Sequence, residues 1–577
     1  NTAVGYHAGL SVTTGTQNTL IGAQTGDALT EGNNNVSLGY ESLSSDTKGS
    51  QTVAIGYLAL NAQNFTSASA PYNTAVGAHT GRFLTTGVQN TLIGALAGDA
   101  LTDADRNVVA GYNALGTNTV GSRSVAIGTS ALAVQNPDSA TDMYNVAVGD
   151  DAGKLVTTGT ANTLVGGLSG DALTTGSNNV AIGLSALSAD DVGSRSVAVG
   201  SNALESQNTA TAANVYNTAV GYGVGAAITT GIQNTLVGGL TGDSLTDADF
   251  NVAMGVSALG GDTKGSKSTA LGYFALSVQN FTSATDTFNV AVGHVAGTAI
   301  TTGVQNTIIG GLAGDALTDA DFNLALGTAA LGADTLGSHS TAIGTYALSA
   351  QNNTSATNTY NVAVGSSAGT AVTTGVQNTL VGGLAGDTLT TGSGNVAIGY
   401  NVDFGAVARA NAIGIGNGFS VSGDDRIQIG VGSNIATLLL DGSTTTWSAS
   451  SDERLKENIV SSTAGLSFIN DLRPVTYNWK KAKDVPSELP QHIKDSDEPC
   501  LGHTYGTLKH GFIAQEVKTV IDNHPEVKDG QDIWQTDDTN VQTLAPSALV
   551  PMLVKAIQEQ QAIIESLTTR ITALEGE

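Results

Sequence analysis

The chain has 577 residues, with 73 glycines, 9 prolines, one cysteine, 12% charged and 40% hydrophobic residues. That length exceeds an ordinary domain several times over, so several domains or a repeat array are expected, and the lone Cys500 excludes a disulfide framework or a cysteine-based zinc site. A formal net charge of −27 argues against a grip on nucleic acid, which needs clustered Lys and Arg, and suits a soluble surface or one that recruits cations.

No run of 18 apolar residues occurs, so no transmembrane helix or membrane insertion is expected. No signal peptide stands at the start, but Asn1 opens inside a repeat, and the chain reads as a piece of something longer. The first five residues, Asn1-Thr-Ala-Val-Gly5, return with a 72-residue period as Asn73 to Gly77, Asn145 to Gly149, Asn217 to Gly221, Asn289 to Gly293 and Asn361 to Gly365. Within a unit the apolar-apolar-Gly ending recurs at Gly5, Gly22, Gly39, Gly56 and Gly77, intervals of 17, 17, 17 and 21. After Gly399 the spacing loosens to Gly414 and Gly430, as expected of a terminal cap.

Each coil holds a short alternating stretch, with Val146 and Val148 on one side of Ala147, and ends at a glycine followed by small or polar residues, the signature of a strand and a turn. A 17-residue coil cannot bury its own apolar face, whereas stacked coils bury a continuous one. The fold class is therefore mainly β: a parallel β-solenoid or β-roll rod over 1–400, with capping coils and a linker over 401–450. With 25 glycine anchors at about 4.8 Å per coil the stack is roughly 120 Å long. Ala, Gly, Val and Ile at the inward positions imply a thin core that gains from being shared among chains.

Two further features recur. The 21-residue coils end in an aromatic, Tyr72, Tyr144, Tyr216, Phe288 or Tyr360, a row that stacks on sugars or merely covers the enlarged coil. Gly-Asp-x-Leu-Thr recurs at Asp27, Asp99, Asp171, Asp243, Asp315 and Asp387, and three units add Thr-Asp-Ala-Asp, as at Asp103 and Asp105. Oxygen-rich loops hold calcium, but a Gly-Asp turn is also the ordinary way to close a tight loop. The second reading is preferred, and no metal or other cofactor is expected. Paired acids such as Asp150 and Asp151 have no visible second partner. Thr-Thr-Gly, as at Thr85 to Gly87, recurs once or twice per unit rather than once per coil, too sparse for an ice-binding lattice.

The coils resemble the Asn-x-Val-Ala-Ile-Gly repeats of trimeric autotransporter adhesin heads and bacteriophage tail fibres, the nearest copies being Val53-Ala-Ile-Gly56, Val125-Ala-Ile-Gly128 and Val396-Ala-Ile-Gly399. In those families three chains bundle side by side, which implies a homotrimer.

A second kind of polypeptide begins near residue 450. Residues 1–450 hold 10 Lys+Arg and 29 Asp+Glu, residues 451–577 hold 12 and 20, and the shorter part takes seven of the nine prolines. Ser450-Ser-Asp-Glu-Arg-Leu-Lys-Glu-Asn-Ile459, Tyr477-Asn-Trp-Lys480 and Gly511-Phe-Ile-Ala-Gln-Glu-Val517, with a terminal helix, resemble the self-cleaving intramolecular chaperone domain of endosialidases and other phage tail fibres. The resemblance covers 451–577 and implies a small α+β chaperone and autoprotease domain that assembles three chains and then cuts itself free. By position it makes Ser451 the nucleophile and Lys456 its general base, a single-turnover Ser/Lys endopeptidase cutting beside Ser450, Ser451 and Asp452. An N-to-O acyl shift would break the bond between Ser450 and Ser451.

The chemistry requires a lysine whose pKa is lowered by desolvation. Residues five apart lie about 140° around an ideal helix, so Ser451 has to precede the helix or Lys456 has to reach it another way. The plain alternative is a capping box, Ser450 as N-cap and Glu453 three residues on, opening a helix that contains Leu455 and Ile459.

From Val550 the apolar residues fall on a heptad, with Val550, Ile557, Ile564 and Ile571 at a and Leu553, Gln560, Leu567 and Leu574 at d. This spacing makes a coiled coil over 548–575. β-branched a with Leu d favours dimers, whereas the resemblance implies trimers; the trimer is preferred. Cys500, His503 and His510 are poorly spaced for zinc. The expected protein is a homotrimeric phage tail fibre, part of the virion, joined to other tail or baseplate proteins and meeting a host cell-surface glycan or protein receptor. The alternatives are a polysaccharide-degrading tailspike and a bacterial trimeric surface adhesin.

Overall fold

A computed structural model describes residues 1–440, 451–501, 508–537 and 539–576, and the chain separates into two compact units, Asn1–Ser450 and Ser451–Glu577.

In the first unit each coil contributes one strand, beginning with Thr2–Val4, Thr19–Ile21 and Val36–Leu38 and ending with the longer Ala412–Asn417 and Arg426–Val431. Successive coils pair in parallel and in register, as Thr163, Leu164 and Val165 do with Val180, Ala181 and Ile182. The expected parallel solenoid of about 25 coils is what forms. It ends where Asn434–Leu439 runs back antiparallel to Arg426–Val431, which stops parallel propagation.

The expectation of Val and Ile in the core holds only in part: Val109 and Ile308 at strand centres and Val156, Val224, Ile228, Ile300 and Val372 in the turns are fully buried, but the Val and Ile that flank the strand centres are not core. From the second strand on the central residue points in; it is mostly Ala or Leu, as at Leu164, Ala181, Ala198 and Ala219, all fully buried, with Ser37, Val109 and Ile308 in the same place. The flanking Val and Ile point out because side chains alternate along a strand, and Val36, Leu38, Ile93 and Met254 are 39 to 51% exposed. The bulk of the core comes instead from leucines in the turns, such as Leu173, Leu187 and Leu204. The terminal register also differs from the expected Gly414. Ile398 pairs with Ile415 and Ala397 with Gly414, so Gly414 takes an inward strand position and the anchor is Gly416.

A buried asparagine ladder explains the 17-residue period. Asn162, Asn179 and their equivalents are fully buried. Each side-chain oxygen accepts the backbone N–H one coil on, as Asn162 Oδ1 from Asn179 N at 3.0 Å, and each amide donates to a backbone carbonyl fourteen residues on, as Asn162 Nδ2 to Gly176 O at 2.9 Å and Asn90 Nδ2 to Ala104 O at 2.8 Å. Buried polar groups have to be paired in this way. At every fourth coil the ladder residue is a short Thr or Ser, such as Ser196, and a glutamine that precedes the four inserted residues bridges the gap. Gln207 Nε2 donates to Ser196 Oγ at 3.0 Å, and Asn217 Nδ2 donates to Gln207 Oε1 at 2.9 Å. The 21-residue coil is thus the coil that supplies the missing rung.

In the second unit, helices α1 (Leu466–Asp471), α2 (Ala514–Asn523), α3 (Pro525–Lys528) and α4 (Val550–Glu575) accompany two antiparallel strand pairs. Val475–Tyr477 pairs with Lys509–Gly511, and Trp534–Thr536 with Gln542–Leu544. Phe468, Val517, Ile521, Val527, Ile533 and Leu549 form the core. Helix α4 follows a 3-10 turn at Pro546–Leu549. Its first turns pack through Met552 and Ala556, and Glu559 Oε2 accepts from Leu466 N at 2.7 Å, capping α1 where no local side chain does. From Gln560 to Gly576 every residue of this unit's terminal segment is exposed.

Candidate functional site

The segment after residue 450 does not open the expected capping-box helix, and Ser450 lies outside the described residues. Asp452 is the cap instead, its Oδ1 accepting from Arg454 N at 2.9 Å. Arg454 also clasps both carboxylate oxygens, which holds the Asp452 carboxyl below the usual carboxylate range. Because this local bonding satisfies the turn by itself, only a 3-10 turn over Glu453–Leu455 forms, and the chain leaves it extended at Lys456 (φ −122°, ψ 148°). Leu455, Ile459 and Val460 are left 73, 62 and 84% exposed.

The short turn removes the geometric obstacle that a full helix poses. With the chain extended at its end, Lys456 swings back, and its Nζ lies 2.7 Å from Ser451 Oγ. That contact aligns an amine with the hydroxyl it would have to deprotonate. Both side chains are exposed.

The heptad residues Val550, Leu553, Ile557, Ile564, Leu567, Ile571 and Leu574 are 42 to 73% exposed on α4, together with Ile563 at 50%. Gln560 is exposed in the same seam. Only Ala556 is buried, so the helix does not lie down along its own unit beyond its first turns.

Along the solenoid, Tyr72, Tyr144, Tyr216, Phe288 and Tyr360 share one backbone state, φ between +49° and +55°, and are 45 to 56% exposed. A residue one coil earlier lies over most of these rings. The Arg123 and Arg195 guanidinium carbons stand 5.5 Å from the centres of Tyr144 and Tyr216, Lys267 Nζ 5.2 Å from Phe288, and the His339 ring 5.1 Å from Tyr360. One face of each of these four rings is therefore taken. Phe250 and Phe322, at the same place in 17-residue coils and equally left-handed, join the column. They were missed because the row was sought only at the 21-residue coils.

The acids divide by role. Desolvation pushes the carboxyls of Asp27, Asp99, Asp171, Asp243, Asp315 and Asp387 above their ordinary value. They lie a full unit apart, too far to share an ion. Asp105, Asp249 and Asp321 are corner acceptors, as where Asp105 Oδ1 takes the Val88 N–H at 2.8 Å. Among the described residues no group of three His, Cys, Asp or Glu is placed to hold a metal ion. His503 lies outside them.

One titrating cluster escaped the sequence reading. His524, 7% exposed, is held between Glu526 at 2.7 Å and Asp471 of α1 at 2.9 Å, with Phe468 edge-on at 5.4 Å. Glu526 and then Asp471 raise its pKa. A group raised in the folded state contributes stability that is complete below its unfolded pKa and is lost as pH rises through the folded value. Unfolding of this unit, followed by the fluorescence of Trp479 and Trp534, is therefore expected at lower denaturant at pH 9 than at pH 6. A His524→Gln variant is expected to lose that slope; an unchanged slope would exclude the ion pair.

A family model described as chaperone of endosialidase matches residues 451–525, the segment that begins at Ser451 and ends in α3. Neither curated proteins nor solved structures provide a match to the chain. A chaperone-of-endosialidase segment behind a parallel β-solenoid fits a protein of the tail-fibre or tailspike type.

Proposed function

We propose that this protein is a homotrimeric phage tail fibre whose carboxy-terminal unit drives assembly of the solenoid and then releases itself by cutting beside Ser451. The observation that carries the reading is the 2.7 Å contact between Lys456 Nζ and Ser451 Oγ at the first residue of the matched segment. In the proposed step Lys456 takes the Ser451 hydroxyl proton, Oγ attacks the carbonyl carbon of residue 450, and the amide becomes an ester as Lys456 returns the proton to the Ser451 nitrogen, which leaves as an amine. Water then hydrolyses the ester. The exposed apolar residues Leu455, Ile459 and Val460 beside the pair support a site that is covered by neighbouring copies. Cover of this kind supplies the desolvation a lysine base needs.

Two further surfaces support association. The solenoid strands turn apolar side chains outward again and again, with Val36, Leu38, Ile93 and Met254 39 to 51% exposed, and a recurring exposed apolar strip of this kind marks an association surface. Helix α4 leaves its heptad seam open. In a stack of interchangeable coils, neighbouring chains pair as well in a slipped register as in the correct one, so an assembly unit that sets the register has a physical task. The half-exposed aromatic column is the surface offered to a host glycan, with the fibre carried on the virion through other tail proteins.

The test is the intact mass of freshly made protein beside Ser451→Ala under denaturing conditions. The parent is expected to lose a fragment of about 14 kDa, the size of a small domain of this length, and the variant to stay whole. A parent that also stays whole would remove the self-cleavage reading and leave a permanent assembly unit.

A further inference from the structure

The inserted corner of four units is closed by the same buried carboxylate. Asp46, Asp190, Asp262 and Asp334 are fully buried. In each, the glutamine that repairs the ladder donates to Oδ2, as Gln63 Nε2 to Asp46 at 2.7 Å and Gln207 Nε2 to Asp190 at 2.6 Å. In each, Oδ1 accepts from the glycine three residues on, Gly49 at 2.9 Å and Gly337 at 3.1 Å among them. A second backbone N–H, nineteen residues on, closes the corner: Phe65, Phe281 and Asn353 at 3.1 Å, and Thr209 in the same role.

The polarity of the ladder requires an acceptor at this place. Asn73 is fixed because its Oδ1 accepts from Asn90 N and its Nδ2 donates to Gly87 O. Its Nδ2 also donates to Gln63 Oε1, which turns the Gln63 amine toward residue 46. Only an acceptor satisfies it there, and a carboxylate offers acceptors alone.

The second unit breaks this arrangement at both ends. The carboxylate is replaced by Asn118, which keeps the bond from the glycine three residues on, Oδ1 accepting from Gly121 N at 2.8 Å, but offers Nδ2 in place of the second oxygen and donates it to Gly121 O at 2.7 Å. The matching residue nineteen on is Pro137, which has no N–H to donate. Gln135 reaches Ser124 and Asn145 but makes no bond to Asn118. Acceptor and donor are missing together, in one unit of five.

We propose that the solenoid carries four carboxylate clasps and one unclasped corner, residues 118–143, and that the stack opens first at that corner. Charge-assisted bonds across coils are the stronger kind, and local opening follows the least secured element. The corner is then the position at which the solenoid bends or is nicked.

Hydrogen exchange of the full chain tests this, read on peptides covering 136–143 and the equivalent 64–71, 208–215, 280–287 and 352–359. Exchange at 136–143 is expected to be at least about tenfold faster than at the other four, as loss of bonds to a charged group implies. The exchange Asn118→Asp with Pro137→Thr is expected to slow it to their level, and Asp190→Asn with Thr209→Pro to raise 208–215 to the level of 136–143. Equal exchange at all five corners, or a rate at 136–143 indifferent to the Asn118→Asp and Pro137→Thr pair, would overturn the proposal. The gain-of-clasp variant keeps the test decisive even where the loss variant fails to fold.

Discussion

Gly238→Ala is expected to destabilise the solenoid by roughly 4 kcal/mol or more, while Gly239→Ala, the next residue, changes it by less than about 1 kcal/mol. Gly238 has φ +133°, where side chains rarely go, and a Cβ there would lie 2.8 Å from the carbonyl carbon and oxygen of Gly255 in the next coil. Neither strand can retreat, because Thr235, Leu236 and Val237 are paired residue for residue with Val252, Ala253 and Met254. Around Gly239 nothing lies within 4 Å of the added atom. The same contact recurs along the stack, with the Cβ of Gly183 falling 2.4 Å from Gly200 O, so each anchor glycine is required by the glycine one coil away. Since coil stacks couple mainly to nearest neighbours, the Gly238 variant should also split one thermal transition into two. Similar midpoints for the two variants would show that the anchors are not what sets the coil spacing.

The anchor spacing was legible in the sequence because a left-handed glycine stacked on another leaves no alternative residue. The facing of the strands was not, since Val146-Ala-Val148 is apolar on both sides and alternation alone does not say which side is core. Burial settles it: the strand centre faces the interior that the turn leucines fill, and it is Ala or Leu in most coils, with Ser37, Val109 and Ile308 in others. Ile413-Gly-Ile-Gly416 offers two glycines two residues apart, and only pairing with Val396–Ile398 makes Gly416 the anchor in place of the expected Gly414. At the candidate cleavage site, Ser450, Ser451 and Asp452 are three adjacent residues able to cap, and the Arg454 clasp on Asp452 decides among them. The buried carboxylate of each clasp lies 17 residues from its glutamine, a distance that means contact only once the coil is known. His524 drew no attention because its partners, Asp471 and Glu526, come from different helices.

Replacing Ile557 and Ile564 together by Lys is expected to convert the assembly entirely to single chains at micromolar concentration, measured by light scattering, with the unit's own fold kept. These side chains are 63 and 55% exposed on α4, so nothing within the chain is lost, whereas a charge in a coiled-coil seam is buried without a partner and costs several kcal/mol. Thr569→Lys on the opposite side of the helix, where Thr569 Oγ1 bonds only to its own turn at Glu565 O, is expected to leave the mass unchanged. The parent mass carries the finer information. Isoleucine at a with leucine at d favours two strands in isolated coiled coils, but the seam also holds Gln560 at d, and the outward strand face of the solenoid would have to be covered at the same time. Two chains laid face to face would pack Val36, Leu38 and Met254 against one another and leave a flat pair. Three chains around an axis let the outward strip of each meet the flank of the next. A measured mass of three chains would fit that cover, and a mass of two would remove the fibre reading while leaving the helix as the association element.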